Sequence, residues 1–259
     1  VFQHSIGYAA LKYPELPPEL PVPLGNQIGV LQRSPLSGQI RIMAQVASQY
    51  LPALLEYQYS DAPELHDPTN SQYYFSNAFC LLNYLSSQPD VAIRLSKHPR
   101  ILSDTIEKLL IPDIEAKMKA CTRIGGATFE ADFGSILQFV STLLLRKGPA
   151  TENDEPIHPK INELVPKLRA WQRKYRGKYI GKVSERLAGQ IENPDPNAVA
   201  TVTENQNDSL VCGYILCGNK KDMLACGTCK IQRYCSQEHQ KKDWKNHKHI
   251  CNKGLVETE

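Results

Sequence analysis

The chain has 259 residues, 41% of them hydrophobic and 22% charged, with a formal net charge of +3. That length buries a real core, in one large domain or a medium one with a small appendage, and no apolar run approaches the roughly 20 residues of a membrane-spanning helix. The opening VFQHSIGYAALKYPELPPEL lacks the basic start and apolar stretch of a secretory signal, so the expectation is a soluble intracellular chain in a reducing compartment, where its eight cysteines stay free or bind metal.

The first forty residues contain LKYPELPPELPVPLG and SPLSG. Proline removes backbone donors and favours extended chain over helix, so residues 1–37 read as a Pro-rich N-terminal arm or loop. From about Gln39 the pattern turns helical. IRIMAQVASQYLPALLEY, YYFSNAFCLLNYLSS and ADFGSILQFVSTLLLRK place apolar residues at steps of three and four. Between them, PDVAIRLSKHPRILSDTIEKLLIPDIEAKMKACTR reads as shorter helices punctuated by Pro89, Pro99 and Pro112, with Ser103 or Asp104 as N-caps. Strand alternation is hard to find, and residues 38–191 are expected to form an α-helical domain. The succession of helices resembles the armadillo or HEAT type of repeat, in which each unit buries its face against its neighbours, although no fixed period is visible. An irregular all-helical domain is the alternative.

RKGPATENDEPIHPK, residues 146–160, is a polar loop. After it INELVPKLRAWQRKYRGKYIGKVSERLAGQI forms one long helix, or two broken near Gly177 and Gly181. It carries Lys167, Arg169, Arg173, Lys174, Arg176, Lys178, Lys182 and Arg186, a basic set that invites a nucleic-acid or anionic-membrane reading. A solvated face is the commoner explanation, because Leu164, Leu168, Trp171, Tyr175 and Tyr179 supply an ordinary apolar stripe. Residues 192–209 have the polar, Pro-containing composition of a linker, leaving residues 210–253 as a separate module and 254–259 as a tail.

That module holds Cys212, Cys217, Cys226, Cys229, Cys235, His239, His247 and Cys251. Eight ligands make two tetrahedral sets, and pairs separated by two to four residues chelate one ion from a tight turn. The three-residue gap to Cys251 favours His247 over His249. The remaining cysteines, Cys80 and Cys121, lie in apolar helical-looking segments and read as buried, inert thiols. From Leu210 to Lys253 nine lysines and arginines stand against three acids, an excess of 9 − 3 = +6, which leaves 3 − 6 = −3 for the rest.

The arrangement resembles the MYND zinc finger. The residues that carry the resemblance are CGTC, the aromatic before the fifth ligand in RYC, the run QKKDW after the sixth, and HKHIC at the end. It implies interleaved sites, with Cys212, Cys217, Cys235 and His239 on one zinc ion and Cys226, Cys229, His247 and Cys251 on the other. Two departures stand out: the first pair encloses the four residues GYIL where the family usually has two, and the sixth ligand is His239 where the family usually has cysteine. Zinc accepts that exchange, since mixed sulfur and nitrogen sets are common. With three thiolates around each dication, the finger's excess falls from +6 to about +4. The expected fold class is thus mainly α, a helical body followed by a small cross-braced two-zinc finger.

Closed sites leave no open position for water, so the zinc is expected to be structural and the chain not an enzyme. RIGGAT lacks the lysine and spacing of a phosphate-binding loop. Some MYND proteins carry a methyltransferase SET domain, but no Asn-His-Ser-Cys motif is present here. The resemblance implies a protein-interaction adaptor that binds short proline-rich segments of partner proteins, with Tyr234, Gln240 and Trp244 at the matching positions. Nearby lysines favour acidic flanks on the partner. The alternative is nucleic-acid binding through Lys241, Lys242, Lys245 and Lys248, which the absence of interleaved aromatics weakens.

Overall fold

The computed structural model describes residues 82–120, 129–147, 158–195 and 210–249, with Cys251 and parts of 43–66 and 197–201. The N-terminal arm, the tail, residues 202–209 of the expected linker, Cys80 and Cys121 lie outside the described residues. The chain divides into two compact units, one comprising residues 1–62, 87–91 and 203–259, the other residues 63–86 and 92–202.

Helix α1 (Pro89–Lys97) opens in the first unit. Proline at its first position needs no hydrogen bond there, and the buried Gln88 caps the helix, its Oε1 accepting the Val91 N–H at 2.8 Å. Helix α2 (Ile101–Leu110) buries Ile101, Leu102, Thr105, Ile106 and Leu109. Its N-cap is Arg100, not Ser103 or Asp104. Starting one turn earlier puts Ile101 and Leu102, 1% and 4% exposed, on the same buried face as Ile106, and it lets Asp104 pair with Arg100 at 3.2 Å. Pro112 ends the helix by forcing Ile111 into extended geometry, ψ 134°. The orphaned carbonyls of Leu109, Leu110 and Ile111 are collected by the Lys167 ammonium at 3.2, 2.8 and 2.8 Å.

Helix α3 (Ile114–Ala120) is followed by the long α4 (Phe129–Lys147), whose Phe133, Ile136, Leu137, Val140 and Leu143 are fully buried. Helices α5 (Ile161–Lys174) and α6 (Tyr179–Glu192) pack against each other, and α6 packs against α4. Phe133 meets Trp171 edge to face, centroids 4.8 Å apart, and stacks on Phe129 at 5.3 Å. The basic segment is therefore two helices. Gly177, at φ 81°, makes the corner, whereas Gly181 lies inside α6. A Cβ on Gly181 would stand 2.2 Å from the Tyr175 carbonyl oxygen, so Gly181→Ala is expected to lower stability by about 2–3 kcal/mol, measured by denaturant unfolding. An unchanged midpoint would show that the corner relaxes freely. Among the described residues these helices range from 7 to 19 residues with no repeated unit, and the armadillo or HEAT expectation is not confirmed.

Most of the basic set is engaged internally. Besides Lys167, Arg169 pairs with Glu192, Lys174 with Glu115, Lys178 with Glu130, and Arg186 donates to Gln138. Glu115 also accepts from Lys119 and the Tyr175 hydroxyl, both at 2.6 Å. Burial would raise its pKa, but these three donors outweigh burial and hold it at about 2. A depressed carboxylate adds stability that is present above its unfolded value and is lost as pH falls toward the folded one. Glu115→Gln is expected to cost about 1 kcal/mol at pH 7, since Lys119 and Lys174 are 43% and 56% exposed and water screens them. The gap between variant and wild type should shrink between about pH 4 and pH 2 in urea titrations. A gap that does not change with pH would refute this assignment.

Candidate metal centre

The finger begins with Leu210 and Val211, both buried, and its two-stranded antiparallel sheet pairs β1 (Leu224–Ala225) with β2 (Arg233–Tyr234). Leu224 faces Tyr234 and Ala225 faces Arg233. Each strand leads directly into a ligand, Cys226 after β1 and Cys235 after β2. The CGTC turn is closed by the Lys230 N–H on the Cys226 carbonyl at 2.9 Å, with Lys230 at φ 57°. Helix α7 (Gln237–His247) starts at Ser236, whose hydroxyl accepts the His239 N–H at 3.2 Å.

These elements gather the eight ligands into two groups, Cys212, Cys217, Cys235 and His239 in one and Cys226, Cys229, His247 and Cys251 in the other. Within each group all ligand atoms lie within 4.8 Å of one another. Zinc bonds of roughly 2.3 Å to sulfur and 2.0–2.1 Å to nitrogen give tetrahedral edges of about 3.8 Å between sulfurs and about 3.6 Å between sulfur and nitrogen. Cys217 and Cys235 sulfurs are 3.7 Å apart and those of Cys226 and Cys251 3.8 Å. Cys229 Sγ is 3.6 Å from His247 Nε2, and Cys212 Sγ is 3.8 Å from His239 Nδ1. Such sulfur pairs are far beyond the roughly 2.05 Å of a disulfide, and no disulfide joins any of the six cysteines. The two clusters fit two zinc ions.

The wide first pair closes because the Cys217 N–H turns back onto the Tyr214 carbonyl at 2.8 Å, and the Cys212 N–H onto the Asn219 carbonyl at 2.9 Å. His247 is 1% exposed and lies in a cluster, whereas His249 is exposed and lies in neither. Burial pushes the Cys212 thiol up to about 11 and the Cys251 thiol up to about 12. For Cys235 burial is outweighed by hydrogen bonds from Asn219, His239 and the neighbouring thiols, which bring it down to about 7. Because zinc takes thiolates, loading must displace protons and strengthens as pH rises.

The residues expected to touch a partner are placed differently from one another. Tyr234 is 1% exposed and its hydroxyl donates to the buried Asp243 at 2.8 Å, so it packs inside the finger. Gln240 is half-buried and Trp244 is 43% exposed. Tyr234 and Trp244 both rest against the His247 ring, at centroid distances of 6.0 and 5.8 Å. Leu224, opposite Tyr234, is 67% exposed. The Cys226 N–H donates to the Gln232 carbonyl at 2.7 Å. By antiparallel alternation, Ala225 and Arg233 are then the pair whose N–H and C=O point outward. The Arg233 carbonyl receives the Gly213 N–H at 2.8 Å, while the Ala225 groups face the outer edge of β1 with no partner among the described residues. Lys241, Lys242, Lys245 and Lys248 are all exposed, Lys242 pairing with Glu238 at 2.6 Å.

Sequence reasoning missed one tie. Arg233 grips Asp90 of α1 with two bonds, Nε to Oδ2 at 2.7 Å and a terminal nitrogen to Oδ1 at 2.5 Å. Gln88 Nε2 reaches Asp90 Oδ2 at 3.2 Å and the Ile231 carbonyl at 3.5 Å. Residues 87–91 and the finger belong to one compact unit.

Residues 211–251 match the family model of the MYND finger, and such fingers are in general protein–protein interaction modules. The chain is similar to mouse Egl nine homolog 1, 37% identical over 60 residues, which cover 23% of this chain and 14% of the mouse protein. It is also similar to human Egl nine homolog 1, 47% identical over 36 residues, 14% of this chain and 8% of the human one. The matched segments thus span a small part of either relative. No solved structure matches the chain. Among the described residues, no helix is long and apolar enough to cross a membrane.

Proposed function

Taking residues 211–251 as a MYND finger, we propose that the chain is an interaction adaptor whose finger docks short proline-rich segments of partner proteins. The zinc in this reading is structural rather than catalytic, since each cluster offers four protein ligands and leaves no coordination position for water. The observation that carries the docking role is the outer surface of the finger. Trp244 and Leu224 are exposed, Gln240 is half-buried one helical turn before Trp244, and Ala225 turns one N–H and one C=O outward. An extended proline-rich segment loses little entropy on docking and can exchange backbone bonds with such an edge. The exposed lysines of α7 favour acidic residues on that segment. Engagement of the basic residues of α5 and α6 within the helical unit weakens the nucleic-acid alternative.

An array of proline-rich peptides with acidic or neutral flanks tests this with the intact zinc-loaded chain. Acidic proline-rich peptides should be retained by the wild type and lost from Gln240→Ala, Trp244→Ala chains that keep two zinc ions. The retention should weaken only modestly between low and moderate salt, as the exposed lysines are screened, whereas nucleic-acid binding would collapse over that range. An array with no retained peptide, or retention indifferent to both substitutions, overturns the proposal.

A further inference from the structure

The chain itself contains a segment with the chemistry that this surface selects. Between Tyr13 and Gly25 the sequence reads PELPPELPVPL, with five prolines, three leucines, Glu15 and Glu19, and no cation. Resting on the docking reading above, we infer that residues 14–24 are an internal ligand of the finger, occupying the β1 edge and Trp244 until a partner segment displaces them.

Charge is the first argument. The segment carries −2, and the finger keeps about +4 with two zinc ions bound, with Lys241, Lys242 and Lys245 exposed around Trp244. Shape and bonding are the second. Prolines hold the segment near the extended form, Leu16 and Leu20 offer apolar side chains to Leu224 and Trp244, and Glu19 and Leu20 keep the N–H groups that the Ala225 carbonyl needs. Reach is the third. Met43 belongs to the same compact unit as the finger, and the 19 steps from Leu24 to Met43 span up to roughly 60 Å when extended. A tether of that kind holds its ligand at an effective concentration on the order of millimolar. For a peptide that binds at about 100 μM, such occupancy weakens an external competitor about tenfold.

The experiment uses a fluorescein-labelled peptide of residues 12–26 titrated onto three full-length chains, each with its zinc content measured. These are the wild type, Glu15→Lys with Glu19→Lys, and the same pair together with Leu16→Ser and Leu20→Ser. The expected result is binding at least tenfold tighter to the four-substitution chain than to the wild type, with the charge pair between them. Trp244→Ala added to the four substitutions should abolish binding. Equal affinity for all three chains overturns the internal-ligand inference while leaving peptide docking intact. No binding to any of them overturns it as well, and the peptide array then decides separately whether the docking reading survives. A wild type whose protection disappears on dilution, together with a dimer in sedimentation, assigns the occupant to a second copy and overturns the single-chain form.

Discussion

Stripping zinc from the intact chain with a strong chelator is expected to unfold residues 210–253 while helices α2–α6 persist. Among the described residues, and outside its cysteines, the finger buries four large apolar side chains, Leu210, Val211, Ile231 and Tyr234. At about 2 kcal/mol each they cannot offset the ordering entropy of about forty residues. Structural zinc contributes on the order of 10–16 kcal/mol in finger peptides, so the metal decides whether this region folds. Far-ultraviolet circular dichroism should lose the contribution of the 11-residue α7, and amide resonances of Leu224, Ala225 and Tyr234 should collapse to unfolded positions. Restoring zinc should bring them back. A finger spectrum that ignores chelation would mean that the clusters do not hold the fold.

Arg233→Ala is expected to destabilise the unit by about 3 kcal/mol, more than a surface ion pair could. Asp90 is 8% exposed, and losing its guanidinium partner leaves a nearly buried carboxylate that still accepts from the Gln88 amide but has lost its neutralising charge. Asp90→Asn should cost less, because the amide remains neutral and still accepts from Arg233. Combining the two should cost clearly less than their sum, since removing the second partner also removes the stranded charge. Denaturant unfolding of the four chains, read at the Trp244 indole, measures the cycle. Additive effects would show that the pair is decorative.

Legibility divided along lines of chemistry. The two Cys/His clusters were readable because metal coordination fixes both residue type and spacing, and even the wide GYIL pair keeps Cys212 and Cys217 in one cluster. Helices α4–α6 were readable from apolar periodicity, and Gly177 marked their corner. The start of α2 was not. Cap preference pointed to Ser103 or Asp104, whereas burial of Ile101 and Leu102 won, because a side-chain cap is worth about 1 kcal/mol and two buried aliphatics considerably more. Pairs far apart in sequence were invisible: Asp90 and Arg233 are 143 residues apart, and Lys167 lies 56 to 58 residues from the carbonyls it collects. Nothing local distinguishes those two cations from their solvated neighbours. Tyr234 shows the remaining limit, since an aromatic beside a ligand is equally suited to surface and interior until the position of Asp243 is known.

Helix α7 gives His239 to one cluster and His247 to the other, eight residues later. The first ion to arrive would therefore order the helix that positions an imidazole for the second, and each ion would raise the affinity of its neighbour by the ordering already done. Zinc titration should then be sigmoidal, with half-loaded chains scarce. Under falling zinc supply, the population would split into fully competent and fully inactive molecules, so that metal availability sets how many chains can engage a partner rather than how well each one does.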